Sequence, residues 1–269
     1  MRCLTFLFLI LTLYSCRQNS DAGREQSTTG EEASSAMTLT PELREAYAQF
    51  RANREHLPDR QIQEAGKLYP VDEALRDTAF FVWRETLLAA VRQKDIFPLM
   101  DAMAEEIKVS FGAENGTAAF VEQWNLQSPE KTVQSPVWTY LEQVLTGGGT
   151  FSANGNRFEA PYVSATWPPD QDTHQRAVIT GAGVRIREQP SLNSGIAAVA
   201  SHTFVNYQQR TDQQTTIGDE TYSWHRIETD NGVSGYVWGK YIGSPISYRA
   251  VFERDKTGLW QMVLFLAGD

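Results

Sequence analysis

The spacing of apolar residues changes once along this chain, and that change sets the order of its structural layers. From about Val71 to Leu145 large apolar residues recur every three or four positions, the glycines Gly147-Gly148-Gly149 follow, and from Thr150 onward the recurrence is in twos. A helix buries one stripe at 3.6-residue spacing, whereas a strand buries every second side chain. Helices first and strands afterwards define an α+β fold.

The helical half reads in pieces. Thr40-Pro41 places a capping residue before a proline at the first helical position and opens a helix over Leu39–Phe50. Pro58 and Gly66 break the pattern. The strongest helix is expected over about Val71–Gln93, where Leu75, Ala79, Val82, Trp83, Thr86, Leu87, Ala90 and Val91 share a face. Asp95 and Pro98 start another, striped by Ile96, Leu99, Met100, Met103 and Ile107. Ser135-Pro136 caps a further helix carrying Trp138, Leu141, Val144 and Leu145, which the three glycines end. Val109–Gly116 reads as a small ligand loop or as a turn into a helix with Phe120, Val121 and Trp124. Its Gly112, Asn115 and Gly116 are turn punctuation and favour the turn. Thr150-Phe151 and Phe158–Thr166 are expected as strands around an Asn154-Gly155 turn, and Trp167-Pro168-Pro169-Asp170 marks a boundary.

Cysteine usage narrows the chemistry. Cys3 and Cys16 are the two cysteines, so nothing after position 16 can form a disulfide or a thiolate metal site. The histidines His56, His174, His202 and His225 are scattered, and no metal or cofactor is expected. Apolar residues make up 41 % of the chain, enough for a substantial core. A net charge of -9, from 24 basic and 33 acidic residues with no basic cluster, argues against nucleic acid as a partner.

The N-terminus carries the sharpest motif. Arg2 precedes an apolar run from Leu4 to Leu13, too short to cross ~30 Å of hydrocarbon but of signal-peptide length. Leu13-Tyr14-Ser15-Cys16 follows at once and resembles the bacterial lipobox. That resemblance implies acylation of the Cys16 thiol and cleavage that leaves Cys16 as the new N-terminus; Tyr14 is larger than the commonest residue there. Arg17–Thr38 is polar and nearly free of large apolar residues, a tether with an r.m.s. reach of roughly 25 Å. The expected location is the cell envelope, periplasmic or surface facing, on a membrane through the lipid. Arg17 stands where the best-known inner-membrane retention signal has Asp.

Toward the C-terminus the chain reads as short strands with turn signals. Val184-Arg185-Ile186-Arg187 leads into Pro190-Ser191, Trp224-His225-Arg226-Ile227 follows, and Gly235-Tyr236-Val237-Trp238 with Tyr241-Ile242 closes the series. In this order the segments resemble bacterial SH3-like domains over about Ala177–Gly243. The glycine usual before the third strand is missing near Ala200-Ser201-His202, and Gln208–Thr221 forms a longer polar loop than usual. The resemblance implies a small all-β barrel that binds cell-wall peptides or an envelope protein. Trp224 reads as core, whereas Tyr222, Trp238 and Tyr241 are the candidate ligand-binding aromatics.

Beyond it, Tyr248, Ala250 and Phe252 alternate, Asp255-Lys256-Thr257-Gly258 turns, and Trp260, Met262, Leu264 and Leu266 alternate again. This hairpin either stands alone or completes the α+β domain, with the barrel as an insertion. Helices at the start and Gly258-Leu259-Trp260 at the end faintly resemble nuclear-transport-factor-like α+β folds. The expected layout is a lipoprotein signal peptide over 1–15, a tether over 16–38, an α+β domain over 39–170, an SH3-like domain over 171–243 and a hairpin over 244–269. The whole resembles SH3-containing bacterial lipoproteins.

An enzyme is harder to assemble. The body lacks a nucleophilic cysteine, a zinc motif around His202 and His225, and the Gly-x-Ser-x-Gly elbow. Glu85, Glu105, Glu106 and Glu114 leave a carboxylate-dependent cell-wall hydrolase as the alternative. The preferred reading is a non-catalytic binding lipoprotein.

Overall fold

The helix expected over Val71–Gln93 begins later than apolar spacing predicts. In the structure, a computed structural model describing residues 64–268 together with the helical positions Pro41, Arg44 and Ala48, helix α1 spans Thr78–Gln93. It begins where the Asp77 carboxylate accepts the Phe80 N–H at 3.0 Å. The preceding residues cross the triple glycine instead. Gly149 donates to the Val71 carbonyl and Glu73 donates to the Gly149 carbonyl, both at 2.9 Å. Gly148 has φ +66°, and a Cβ there would lie 2.3 Å from the Val71 carbonyl oxygen. The glycines thus end a helix and also clear the path of a crossing segment. Buried Glu73 fixes the crossing by pairing with Arg76 and accepting the Phe151 N–H at 2.8 Å.

Cys16, the signal segment, the tether and most of the helix expected over Leu39–Phe50 lie outside the described residues. The described body belongs to one unit, Leu39–Asp269.

Helix α2 spans Ile96–Asp101 and stops there, although apolar spacing extends it to Ile107. Met103–Lys108 forms strand β1, with Met103 and Ile107 buried and Glu105 and Glu106 in solvent. The cause is tertiary: Met262 donates to the Ala102 carbonyl at 2.7 Å and draws this segment alongside a strand near the C-terminus. Val109–Gly116 is a turn that consumes its own polar atoms. Asn115 Oδ1 accepts the Val109 and Ser110 N–H groups at 2.9 and 3.1 Å, and its amide donates to the Gly112 carbonyl. Helices α3 (Thr117–Gln123), α4 (Pro129–Gln134) and α5 (Val137–Thr146) complete the helical layer.

Strands β2 (Thr150–Phe151) and β3 (Arg157–Ala160) flank the Asn154-Gly155 turn. The strand expected to reach Thr166 ends at Ala160, and Tyr162–Ala165 forms one helical turn, α6. Seven strands follow: β4 (Arg176–Ile179), β5 (Val184–Arg187), β6 (Ile196–Ala200), β7 (Phe204–Ile217), β8 (Glu220–Thr229), β9 (Ser234–Trp238) and β10 (Ile242–Gly243). The chain ends with β11 (Arg249–Arg254) and β12 (Trp260–Leu266) around the Asp255–Gly258 turn. The polar stretch Gln208–Thr221 is not a loop. It is the far end of the β7–β8 hairpin, turning at Gly218 with φ +62°.

Two sheets result, and the body is α+β. One has the order β1-β12-β11-β3-β2, with β1 and β12 parallel and the rest antiparallel. The other is wholly antiparallel, with the order β10-β4-β7-β8-β9-β5-β6. Its strands lie in sequence between β3 and β11, which are neighbours in the first sheet. The first sheet packs on the helices through Phe80, Phe120, Trp124, Phe158, Phe252 and Phe265. The second encloses a smaller aliphatic cluster, with Ile179, Val184, Ile186, Val205, Ile227 and Val237 among its members.

Candidate functional site

Helix α5 turns Trp138, Leu141 and Leu145 inward, which leaves Tyr140, Gln143 and Thr146 facing the seven-stranded sheet. Opposite them stand Glu220 and Tyr222 at the start of β8, then Lys240, Ile242 and Gly243. The space between is a cleft of about 660 Å³, which continues past Tyr140, Gln143 and Tyr222 into a second hollow of about 970 Å³. Either volume lies in the range of small-ligand sites. One hydrogen bond spans the walls: Gln143 Nε2 donates to the Tyr222 hydroxyl at 3.0 Å.

The cleft floor is aromatic and tied to the core. The Tyr140 and Tyr248 ring centroids are 4.4 Å apart, and Tyr248 stacks on Phe265 at 5.3 Å. Burial raises the Tyr248 hydroxyl pKa, with Tyr140 adding to the shift. At the rim Lys240 pairs with Glu220, whose hydrogen bond raises the Lys240 pKa. At the far end Arg92 pairs with Glu142 at 2.8 Å. Arg210 donates to Ser223 Oγ at 3.0 Å and has no carboxylate partner among the described residues.

His225 lies in the wall of the second hollow. Its Nδ1 is 3.2 Å from the Tyr207 hydroxyl, and Gly239 leaves room for its Nε2, which a Cβ would approach to 2.9 Å. Burial first, and the Arg210 charge second, push its pKa down to about 4. The imidazole is therefore neutral at neutral pH.

The aromatics predicted from sequence divide. Tyr222 lines the cleft, with its ring 5.1 Å from that of Trp238 in an edge-on arrangement. Trp238, expected as a surface aromatic, is 5 % exposed, and its indole N–H donates to the Thr215 carbonyl at 2.9 Å. The reason is the long hairpin: Thr215 covers Trp238 and also accepts the Trp224 N–H through its hydroxyl at 2.8 Å. Tyr241, 36 % exposed, packs 6.0 Å from Trp238 and against Gly181, away from the cleft lining.

Sequence reasoning missed Tyr140, Gln143, Tyr248 and Arg210. The outward positions of α5 between its buried stripe residues were the available signal for the first two. Glu85 pairs with Arg84, while Glu105, Glu106 and Glu114 are exposed; none of the four lines the cleft. Among the described residues no group of three or more His, Cys, Asp or Glu could hold a metal ion, and no helix is long and apolar enough to cross a membrane.

The class defined so far is an α+β protein with a cleft between a helix-backed sheet and a curled antiparallel sheet. No protein-family model matches the chain, and no curated protein does. A solved structure from Shewanella frigidimarina NCIMB 400, assigned as a ketosteroid isomerase, is similar at 9 % identity over 71 % of this chain and 96 % of that one. The TM-score is 0.23, and nothing about activity follows from it.

Proposed function

We propose that this protein is a lipid-anchored component of a bacterial envelope that binds a peptide, without chemical turnover, in the cleft beside Tyr222. The observation that carries the reading is the cleft itself. Tyr140, Tyr222 and Tyr248 offer ring faces, Gln143 and Ser247 offer neutral hydrogen-bonding groups, and two of its carboxylates, Glu142 and Glu220, are already paired with cations. Rings with a few polar groups suit a peptide, whose backbone is neutral and whose side chains vary.

The seven-stranded sheet is, on this reading, an SH3-like module. The segments that carry the resemblance fall on β5, on β8, on β9 and on the short turn Gly239–Tyr241 into β10, within one antiparallel sheet. The lipid is proposed on Cys16, from the lipobox-like Leu13-Tyr14-Ser15-Cys16.

Two measurements test the reading. Labelled palmitate should enter the wild-type chain and not Cys16→Ser, which should move to the soluble fraction; a variant that stays membrane-bound refutes the anchor. Purified full-length protein should sediment with peptidoglycan sacculi, and Tyr222→Ala should weaken this by about tenfold or more, as loss of a central aromatic contact does. Sacculus binding untouched by Tyr222→Ala would remove the cleft from the site.

A further inference from the structure

The two sheets have four edge strands, and three are protected. β2 and β10 are two residues long, and β1 carries Glu105, Glu106 and Lys108. Short length and charge are the usual means of keeping an edge from pairing with other chains. β6 has neither. Its five residues, Ile196-Ala197-Ala198-Val199-Ala200, hold no charge, no proline and no glycine, and among the described residues β5 is its neighbour on one side only. Ile196 is 49 % exposed and Val199 62 %.

The strand register places a second feature beside this edge. Val199 is opposite Arg185 and Ile196 is opposite Arg187; Arg187 is opposite Tyr236, which is opposite Arg226. Directly opposed residues share a face, so three arginines lie on the side where Ile196 and Val199 project. None forms an ion pair among the described residues, although the whole chain has a charge of -9. Arg185 and Arg226 are exposed, and Arg187 donates to the Ser194 carbonyl. Glu228 on this face accepts from Ser234 and leaves the arginines in excess.

We propose that β6 is a docking edge for an extended, carboxylate-bearing segment of another protein, which adds to the sheet as a further strand. Backbone groups of the incoming strand would pair with the open side of β6. Side chains of the incoming strand on the face of Ile196 and Val199 would be the carboxylates, which reach over them toward Arg185 and Arg187 on β5, while the intervening side chains lie on the other face. Main-chain pairing supplies affinity in this mode and the alternate side chains supply selectivity. Charge complementarity selects the occupant: a second copy of β6 brings no carboxylate to the arginines, whereas an acidic strand does. This site is separate from the cleft beside Tyr222 and stands without it.

The test uses the full-length chain with two synthetic probes, acetyl-Val-Glu-Val-Glu-Val-Glu-amide and its lysine counterpart. Hydrogen exchange read by mass spectrometry should show protection over Ile196–Ala200 with the glutamate peptide. The lysine peptide should bind at least about tenfold more weakly, as expected when like charges oppose. Arg185→Glu, at an exposed position, should remove the preference for glutamate, and Val199→Glu, which sets a carboxylate on the same face, should weaken the protection by the glutamate peptide. Equal protection by both peptides, no protection by either at millimolar concentration, or protection confined to the cleft overturns the proposal. So does protection of β6 that rises with protein concentration alone, which would signify self-pairing.

Discussion

The two sheets are built on opposite plans. The five-stranded sheet gathers segments from distant parts of the chain, since β1 pairs in parallel with β12. Its interior is aromatic: Phe80 alone lies within 6.0 Å, centroid to centroid, of Trp83, Phe151, Phe158, Phe252 and Trp260. The seven-stranded sheet is contiguous from β4 to β10, and its interior is small and aliphatic. Its large rings sit on the other face, because Trp224 and Trp238 are directly opposed across β8 and β9 and alternate with the inward Ile227 and Val237. Long-range assembly depends on large aromatic area to offset loop closure, whereas a sheet drawn from one stretch of chain closes shorter loops. The second sheet therefore sets its indole rings on its outer face, where Thr215 of the β7–β8 hairpin holds Trp224 and Trp238.

The largest expected effect tests whether the aromatic interior dominates. Phe80→Ala should cost ~3–5 kcal/mol, the range for truncating a fully buried ring. Urea unfolding followed by tryptophan fluorescence should show the midpoint fall by the corresponding amount. A loss below about 1 kcal/mol would mean that the packing around Phe80 relaxes and that the contrast between the sheets is overstated.

Next is Trp238→Ala, expected at the lower end, ~3 kcal/mol, since the ring is covered by one hairpin and not by a full layer. Trp238→Phe keeps ring area and loses the bond to the Thr215 carbonyl, for about 1 kcal/mol. If Trp238→Ala left stability unchanged, the hairpin would not be packed on it as described.

The same ring shows where sequence reading reaches its limit. Strand alternation placed Tyr236 and Trp238 on one face, and the face is common to both. What alternation could not convey is that β7 and β8 run on past the sheet and fold over Trp238, because the polar stretch Gln208–Thr221 has the composition of a loop. Local signals were readable where a turn or cap made them self-contained: Asn154-Gly155, the Asp255–Gly258 turn, and the helix over Val137–Thr146. Met103–Lys108 was unreadable as a strand, since its partner lies near the far end of the chain and its apolar spacing fits a helix equally well. In the cleft, Tyr222 was legible as a polar-tipped aromatic on a strand. Tyr140 and Gln143 were not, because nothing local shows which surface a helix's outer face will meet.

A third prediction concerns pH and belongs to the seven-stranded sheet. His225 has a folded-state pKa of about 4 against the ordinary 6.5. The unfolded chain takes up a proton that the folded one refuses, so stability is full above pH 6.5, falls as pH drops toward 4, and levels off below. His225→Gln should flatten the urea midpoint across that window. A wild-type midpoint that stays constant between pH 6.5 and 4 would show that Tyr207, Arg210 and Gly239 do not keep the imidazole from protonating.

The smallest effect is the most informative about the two sheets together. Gln143 on α5 and Tyr222 on β8 share the bond that crosses the cleft, and both side chains retain solvent contact. Such a bond contributes ~0.5–1 kcal/mol when its partners can return to water. A double-mutant cycle with Gln143→Ala and Tyr222→Phe should give a coupling of about that size or less. A coupling above about 2 kcal/mol would mean that the cleft walls are held as one rigid block, and a peptide entering between them would have to displace that bond at full cost. A coupling near zero leaves the walls free to part, and binding by Tyr222 then depends on its ring and not on its hydroxyl. Tyr222→Phe separates these directly: it should retain sacculus binding that Tyr222→Ala loses.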